Sequence, residues 1–426
     1  MTNTSEFNLF SAAIGICSPW TIDKTELVPS QKRAGRLELH IYVSFPKGSK
    51  FPCPICGDEH TAYDTRERVW RHLNFFQYRC YIQAAEPRIE CPRHGVKTIE
   101  VPWGREGSGF TLMMEGVILS LIKHLSVASV AREIEEHDTK IWRILDYYVE
   151  DAIESREFSD VEAIGVDEYS HKGHNYIRLF LSHPNEKRPQ ARVLDIQDGK
   201  GKDTVIAFKK TFSSHDGEVE NVKDTTSDMC HGYRNAMRDV FPKATMTVDR
   251  FHVIKMITEA VDKTRRREAQ CKDKRKAEAL HKTKYLWLSN KEKLKENQRT
   301  RLEELLSSDN NLDTIVAYTY KLRLQDLYSR QRDYSDAVHY FEELVLEMAN
   351  SSVHEIRKVS ESLTRNAIEI LNYFISHKTN AILEGFNSKI SIIKNRARGF
   401  RNMRNFKNMI YFCMGGFDFP FIKIMA

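Results

Sequence analysis

The spacing of apolar residues changes character along the chain, and each change marks a different kind of structure. From Arg36 to Val43, Leu37, Leu39, Ile41 and Val43 alternate with Glu38, His40 and Tyr42, which predicts a strand with one buried face. At Phe110 the period becomes helical, with Leu112, Met113, Val117, Ile118, Leu121 and Ile122 on one face. A break at Leu125-Ser126 leads to a second helix ending at Ile134, and a polar turn at 136–139 leads to a third, Lys140 to Ile153. Beyond Val161 the pattern is mixed. Ala163 to Val166 is an apolar run ending in Asp167 and Glu168; a basic, glycine-containing turn follows at 170–174, then Tyr176 to Leu181. These read as strand, turn and strand. A third strand is expected at Ala191–Ile196, a helix at Lys202–Phe212, and a short strand at Val219–Val222 with a loop ending at Asp228. A helix at Cys230–Phe241 and a strand at Ala244–Val248, ending in Asp249, complete the order β-β-β-α-β-α-β. The chain is then helical to about Phe374.

Two short motifs add metal chemistry. FPCPICG (51–57) is a Cys-x-x-Cys knuckle, and CPRHG (91–95) repeats it with His as the second ligand. Both carry Pro after the first ligand and Gly after the second. Paired knuckles of this kind suit a closed tetrahedral Zn2+ site with Cys53, Cys56, Cys91 and His94 as ligands and a structural role. Cys80, His60 and His72 lie in the intervening stretch and compete for the site; Asn74–Ile82 there has room for a strand. Residues 101–109, with one Pro and three Gly, read as a linker.

Composition sets limits. The chain has 426 residues, 41% hydrophobic and 10% aromatic, enough for several packed domains. No apolar run approaches the ~18–20 residues of a membrane span, and the N-terminus lacks a signal-peptide pattern, so a cytoplasmic, nucleoid-associated protein with no membrane partner is expected. Eight cysteines in this length do not make a disulfide scaffold. Net charge is only +6, but it is concentrated. Lys263 to Arg301 holds 15 Lys/Arg against 5 Asp/Glu, and Lys389 to Lys407 holds seven Lys/Arg and no acid. A solvated helical face is the ordinary reading of a charge run. The one-sided excess favours phosphate contact, through Lys389, Lys394, Arg396, Arg398, Arg401 and Arg404. The helices at 127–134 and 140–153 have helix-turn-helix spacing, with Lys140 and Arg143 offered to DNA; any small helical bundle gives the same pattern.

The first, fourth and fifth strands each have an acid at or just beyond their ends, and this strand order, with an acid on the first strand, an acid after the fourth and a later acid on a helix, is the layout of an RNase H-like domain. Close carboxylates repel, and divalent cations such as Mg2+ or Mn2+ relieve that repulsion and serve phosphodiester chemistry. Spacing alone does not single out a third acid among the later glutamates.

The chain resembles bacterial insertion-sequence transposases of the DDE superfamily, in the group called ISL-three, from about Trp20 to Gly415. The stretches that carry the resemblance are FPCPICG, HLNFFQ (72–77), CPRHGV, VPWGREGSGFT (101–111), IGVDEYSHKGHNY (164–176), SDMCHGY (227–233), FPKATMTVDRFHV (241–253), YLWL (285–288), NAILEGFNSKI (380–390) and RARGFR (396–401). His94 stands where many such proteins have Cys. The resemblance implies DNA cleavage and strand transfer at terminal inverted repeats, with Asp167, Asp228 and Glu384 as the cation-binding carboxylates. It implies that Asp249 and His252 form an Asp-x-x-His motif beside them, and that the helical block is an insertion.

The expected protein is thus a multidomain α+β transposase. It has a zinc-binding module (1–104), a helix-turn-helix region (110–158), and an RNase H-like catalytic domain in two parts (160–253 and 373–426) around an all-helical insertion (254–372). Its expected partner is double-stranded DNA, both inverted repeats and target, bound by a homodimer or higher oligomer. Two alternatives stand beside this reading. Asp249, at a strand end, competes with Asp228 as second acid; strand order favours Asp228. The chain could also be a catalytically inactive zinc and helix-turn-helix regulator, which would have no reason to keep all three acids.

Overall fold

The computed structural model describes residues 11–419, apart from 32, 173–174, 230, 309–310 and 331. The chain divides into two compact units. One holds the N-terminal residues to Ile153 with Arg396–Met409, and the other Glu154–Asn395 with Ile410–Phe417. The basic segment after Arg396, expected with the catalytic block, therefore groups with the N-terminal unit.

In the first unit β1 (Thr21–Pro29), β2 (Leu37–Ser44), β3 (Lys50–Pro52), β4 (Glu59–Phe75), β5 (Tyr78–Cys91) and β6 (Gly95–Thr98) form one sheet, ordered β1-β2-β5-β4-β3, with β6 also on β5. Asn74–Ile82, expected as one strand, straddles the β4–β5 turn, where Phe75 pairs with Tyr78. The 101–109 stretch is not a free linker. Val101 and Trp103 are buried, and Trp103 meets Trp20 and Trp70 edge-on at 4.9 and 5.6 Å. Gly104 is needed for close approach: a Cβ there would lie 3.0 Å from Trp70 Nε1.

Three helices follow: α1 (Leu112–His124), α2 (Val127–Glu133) and α3 (Asp138–Glu154). Thr111 and Ser126 cap the first two by accepting from Met114 and Ser129 N–H. The buried face of α1 is offset from the expected one. Met114, Ile118, Leu119 and Ile122 are inside, with Glu115 fully buried among Arg105, Ser108 and Tyr148. That network lets a carboxylate occupy a core position.

The second unit is built on a five-stranded sheet of β7 (Ala163–Lys172), β8 (Asn175–Ser182), β9 (Val193–Asp198), β10 (Asp224–Ser227) and β11 (Thr245–Val248), ordered β11-β10-β7-β8-β9. β7, β8 and β9 are antiparallel neighbours, and β10 is parallel to both β7 and β11. Of the expected β7–β8 turn, residues 173–174 lie outside the described residues. The strand expected at Val219–Val222 is a 3-10 turn (Val219–Asn221), and the strand is the Asp-Thr-Thr-Ser run that follows. Its composition reads as loop. It is a strand because it lies between β7 and β11, and its buried hydroxyls are matched: Thr226 Oγ1 lies 2.9 Å from His183 Nε2, and Thr225 donates to the Met246 sulfur.

Helices α4 (Asp203–Ser213) and α5 (His231–Val240) accompany the sheet, whose core includes Phe180 stacked on Phe208 at 4.0 Å. The helical block comprises α6 (Arg250–Ala269), α7 (Lys274–Ala279), α8 (Lys284–Leu288), α9 (Glu296–Leu306), α10 (Asp313–Ser329), α11 (Tyr334–Ala349), α12 (His354–Arg365), α13 (Ala367–Leu371) and α14 (Tyr373–Ser376). Within it the buried Lys321 donates to the carbonyls of Trp287, Leu288 and Ser289, satisfying the end of α8. Part of the basic run is spent internally: Arg265 and Arg266 pair with Asp262, and Arg267 with Asp313 and Glu355. Two more helices close the chain, α15 (Ala381–Arg396) and α16 (Met403–Met414).

Candidate active site

The two knuckles sit on adjoining turns. The first follows β3, the second joins β5 to β6, and the β4–β5 hairpin brings them together. Gly57 and Gly95 take positive φ (76° and 69°), so each knuckle closes in a conformation that favours glycine. The ligand atoms of Cys53, Cys56, Cys91 and His94 all lie within 4.8 Å of one another. Cys56 and Cys91 sulfurs are 3.8 Å apart, and His94 Nδ1 is 3.7 and 3.5 Å from the Cys53 and Cys91 sulfurs. A tetrahedron with metal–sulfur bonds of ~2.3 Å has edges of about that length. The backbone N–H of Cys56, with that of Ile55, pulls the Cys53 thiol down to about 6, toward the thiolate a metal needs. The competing residues are elsewhere. Cys80 is buried and its thiol is pushed up to about 12 by burial, His72 Nδ1 lies 2.9 Å from Thr111 Oγ1, and His60 pairs with Phe51 across β3–β4.

The acids of the second unit are placed by strand register. β10 pairs with β7 as Thr226 with Gly165, and with β11 as Ser227 with Val248. Carried on in the same register, Asp228 comes level with Asp167 on one side and Asp249 on the other. Three acids thus stand in a row across three neighbouring parallel strands: Asp228 and Asp249 lie just beyond the C-terminal ends of β10 and β11, whereas Asp167, expected where its strand ends, lies within β7, which runs on to Lys172 because β8 continues to pair with it. Their charges are felt mutually. Burial first, and the charge of Asp228 among the lesser causes, raise the Asp167 pKa above its ordinary carboxylate value. His252 is raised chiefly by its contact with Asp249 (Nδ1 to Oδ2, 3.2 Å), with Asp228 and Asp167 adding to it. Asp249 is 2% exposed, and its other oxygen accepts from the Asn380 backbone N–H at 3.3 Å.

Glu384 reaches this row on α15. That helix lies along β7 because four helical residues and two strand residues advance nearly the same distance, about 6–7 Å. Leu383 packs over Gly165, Asn387 Nδ2 donates to Asp167 Oδ2 at 2.7 Å, and Ser391 Oγ lies 3.2 Å from Tyr169 Oη. Glu384 is exposed beside this seam. Partial burial and then the charge of Asp249 raise its pKa above the ordinary glutamate value. It shares with Asp249 the wall of a cleft of about 670 Å³. Among the described residues, the knuckle ligands are the group of three or more His, Cys, Asp or Glu close enough to share one ion, and the acid row does not form a second such group. The donor set is oxygen, which fits a hard divalent cation. Glu168 is not part of the row: it pairs with the buried Arg178 at 2.7 Å.

Gly165 is the tightest point of the seam. A Cβ there would lie 2.5 Å from Leu383 Cδ1 and 3.2 Å from Thr226 Oγ1. Gly165→Ala is expected to cost about 1–3 kcal/mol by overpacking, visible as a lowered midpoint in denaturant unfolding.

The expected DNA-binding side chains fall in two groups. In the first unit Arg143 is exposed on α3, whereas Lys140 pairs with Glu136 at 2.8 Å. There too Arg396 donates to the Lys123 carbonyl and Arg404 pairs with Glu150; Arg398 and Arg401 are exposed. In the second unit Lys389 is exposed, and Lys394 donates to the His171 carbonyl. Pattern reading missed Glu135. It sits at positive φ (55°) between α2 and α3 and is held by Arg33, Arg36 and Arg79, so the sheet fixes the turn. Asn380 and Asn387 were missed as well; their position inside the NAILEGFNSKI stretch was the available signal.

These elements define a class, a multidomain DNA-acting protein with a cysteine-rich ribbon, a helix-turn-helix and an acid-rimmed mixed sheet. Comparison gives the family. Residues 164–410 match a family model described as Transposase, 99–149 the helix-turn-helix domain of transposase family ISL3, and 49–94 the zinc-finger of transposase IS204/IS1001/IS1096/IS1165. The chain belongs to the ISL3 transposase family. It is 26% identical over 375 residues to the transposase for insertion sequence element IS1001 of Bordetella parapertussis, covering 86% of this chain and 89% of that one. It is 23% identical over 383 residues to the transposase for insertion sequence element IS1557 of Mycobacterium tuberculosis, covering 82% of each. Among the described residues no helix is long and apolar enough to cross a membrane.

Proposed function

We propose that this chain binds the terminal inverted repeats of an insertion sequence and catalyses divalent-cation-dependent DNA cleavage and strand transfer, with Asp167, Asp228 and Glu384 holding the cations. The observation that carries this reading is the register that sets Asp167 of β7 level with Asp228 and Asp249, just beyond β10 and β11, with Glu384 on the neighbouring α15. The second unit is read as an RNase H-like domain, its sheet running third, second, first, fourth, fifth strand, with the helical block inserted between β11 and α15. Bound Mg2+ or Mn2+ would activate the attacking oxygen and offset charge on the leaving one. Asp228 is preferred to Asp249 as the second ligand on strand order, since Asp249 follows the fifth strand. Asp249 then serves to hold His252, whose raised pKa favours the charged form beside the row.

In the first unit Cys53, Cys56, Cys91 and His94 hold structural Zn2+. Arg143 and the exposed arginines of the 396–404 segment meet the phosphate backbone, and Lys389 meets it beside the acids. The protein works as a dimer or higher oligomer on paired DNA ends in the bacterial cytoplasm, at the nucleoid. The test is incubation of the purified chain with duplex carrying the element's end. Strand cleavage and joining that require Mg2+ or Mn2+ are expected. End-specific binding with no cleavage under any divalent cation would instead identify a regulator.

A further inference from the structure

Along the seam between α15 and β7, one contact falls on a carboxylate. Asn387 Nδ2 donates to Asp167 Oδ2 at 2.7 Å, while the Glu168 backbone N–H donates to Asp167 Oδ1 at 2.8 Å. Each Asp167 oxygen thus has one donor and keeps lone-pair capacity for a cation. The chemistry of the pair fixes the amide's orientation. Turned over, Asn387 Oδ1 would face a carboxylate oxygen, acceptor against acceptor. The Asn387 Oδ1 is consequently aimed away from Asp167 Oδ2, and it is buried with no donor among the described residues. A seam residue needed only for packing has no reason to bury an unmatched acceptor. Leu383 and Ser391, one turn away on either side, fill the same seam by simple packing and by a hydroxyl contact. Asn is also neutral. Lys or Arg at 387 would compete with a cation for the Asp167 charge, whereas an amide orients the carboxylate without neutralising it.

We propose that Asn387 is a positioning residue that locks the Asp167 carboxylate in its cation-binding orientation and offers Oδ1 as an acceptor to the cation's hydration water. The inference rests on the reading of Asp167 as a cation-binding carboxylate. Mg2+ and Mn2+ sites commonly retain water, and partners that orient a ligand tune affinity without touching the ion.

The experiment compares wild type, Asn387→Ala and Ser391→Ala as full chains, with three readouts: the unfolding midpoint as Mn2+ is added, the Mn2+ dependence of end cleavage, and end-DNA binding without added divalent cation. For Asn387→Ala, the Mn2+ concentration giving half-maximal thermal upshift is expected to rise about 10–100-fold, and the cleavage requirement with it. DNA binding and the midpoint without Mn2+ should match wild type, and Ser391→Ala should track wild type throughout. Should Asn387→Ala fail to fold, Asn387→Ser, too short to reach Asp167, takes its place. Unchanged Mn2+ half-saturation in the folded variant overturns the inference. So does an equal rise in Ser391→Ala, which would assign the effect to helix–strand packing. A wild type that shows neither upshift nor cleavage with Mn2+ overturns instead the underlying reading of Asp167.

Discussion

Asp228→Asn is expected to abolish Mg2+-dependent cleavage of end-containing duplex while leaving DNA binding near normal. The substitution keeps the shape and removes the charge from the centre of the acid row. A cation that stabilises several kcal/mol of developing charge is lost with its ligand, so a fall of roughly 10³-fold or more follows. DNA binding is spared because the exposed arginines lie on other elements. A second readout checks placement. The charge of Asp228 is one cause of the raised pKa of Asp167, so the Asp167 carboxyl should titrate at lower pH in the variant. Asp249→Asn provides the contrast. It disturbs the His252 contact at 3.2 Å and should weaken cleavage without abolishing it. Full cleavage by Asp228→Asn, with loss in Asp249→Asn, would exchange their roles.

Cys53→Ser is expected to release zinc and to lower end-specific DNA affinity toward the non-specific level, which for DNA-binding proteins lies about 10³-fold or more weaker. The reasoning runs through the fold. The ligand atoms lie within 4.8 Å of one another, and three thiol groups packed that closely without an ion have little to hold them. The knuckles anchor the far ends of β3, β5 and β6, and the same sheet supplies Arg79 to the turn between α2 and α3. Loss of the ion loosens the platform on which the helix-turn-helix is mounted. Zinc content by atomic absorption and end binding by mobility shift check the two halves. Unchanged zinc content would remove Cys53 from the ligand set.

What could be seen in the sequence follows from how local each signal is. The knuckles were readable because ligand spacing and the glycine after each pair lie within seven residues. The β-β-β-α-β-α-β order was readable because most of its runs are apolar. β10 was not, since Asp-Thr-Thr-Ser is a strand only by virtue of neighbours that the chain supplies 60 residues earlier and 20 later. The same holds for the acid row. Asp167, Asp228 and Asp249 read in the sequence as acids of three separate strands, and parallel register is what makes them neighbours. Glu384 emerged from resemblance, and only the contact of α15 with β7 gives its position a physical cause. The 101–109 stretch misled because glycine was read as freedom, where at Gly104 it makes room for Trp70.

The contact between the Asn380 backbone N–H and Asp249 has a bearing on how this protein can change. The two residues are 131 positions apart, and nearly all the helical block lies between them. The block leaves the sheet after β11 and its last helices return to that strand, where Asn372 Nδ2 donates to the Met246 carbonyl, so its ends are already joined. The entropy of closing such a loop grows only with the logarithm of its length, so doubling the excursion would cost about 0.6 kcal/mol. Length can therefore be added within the block at little thermodynamic expense to the acids, whose spacing is set by β-sheet register and the α15 seam, whereas α6 and α10, which line the cleft with Glu384, have to stay in place. The hydrogen bond works as a drawstring: whatever is gathered beyond it can vary while the opening keeps its size.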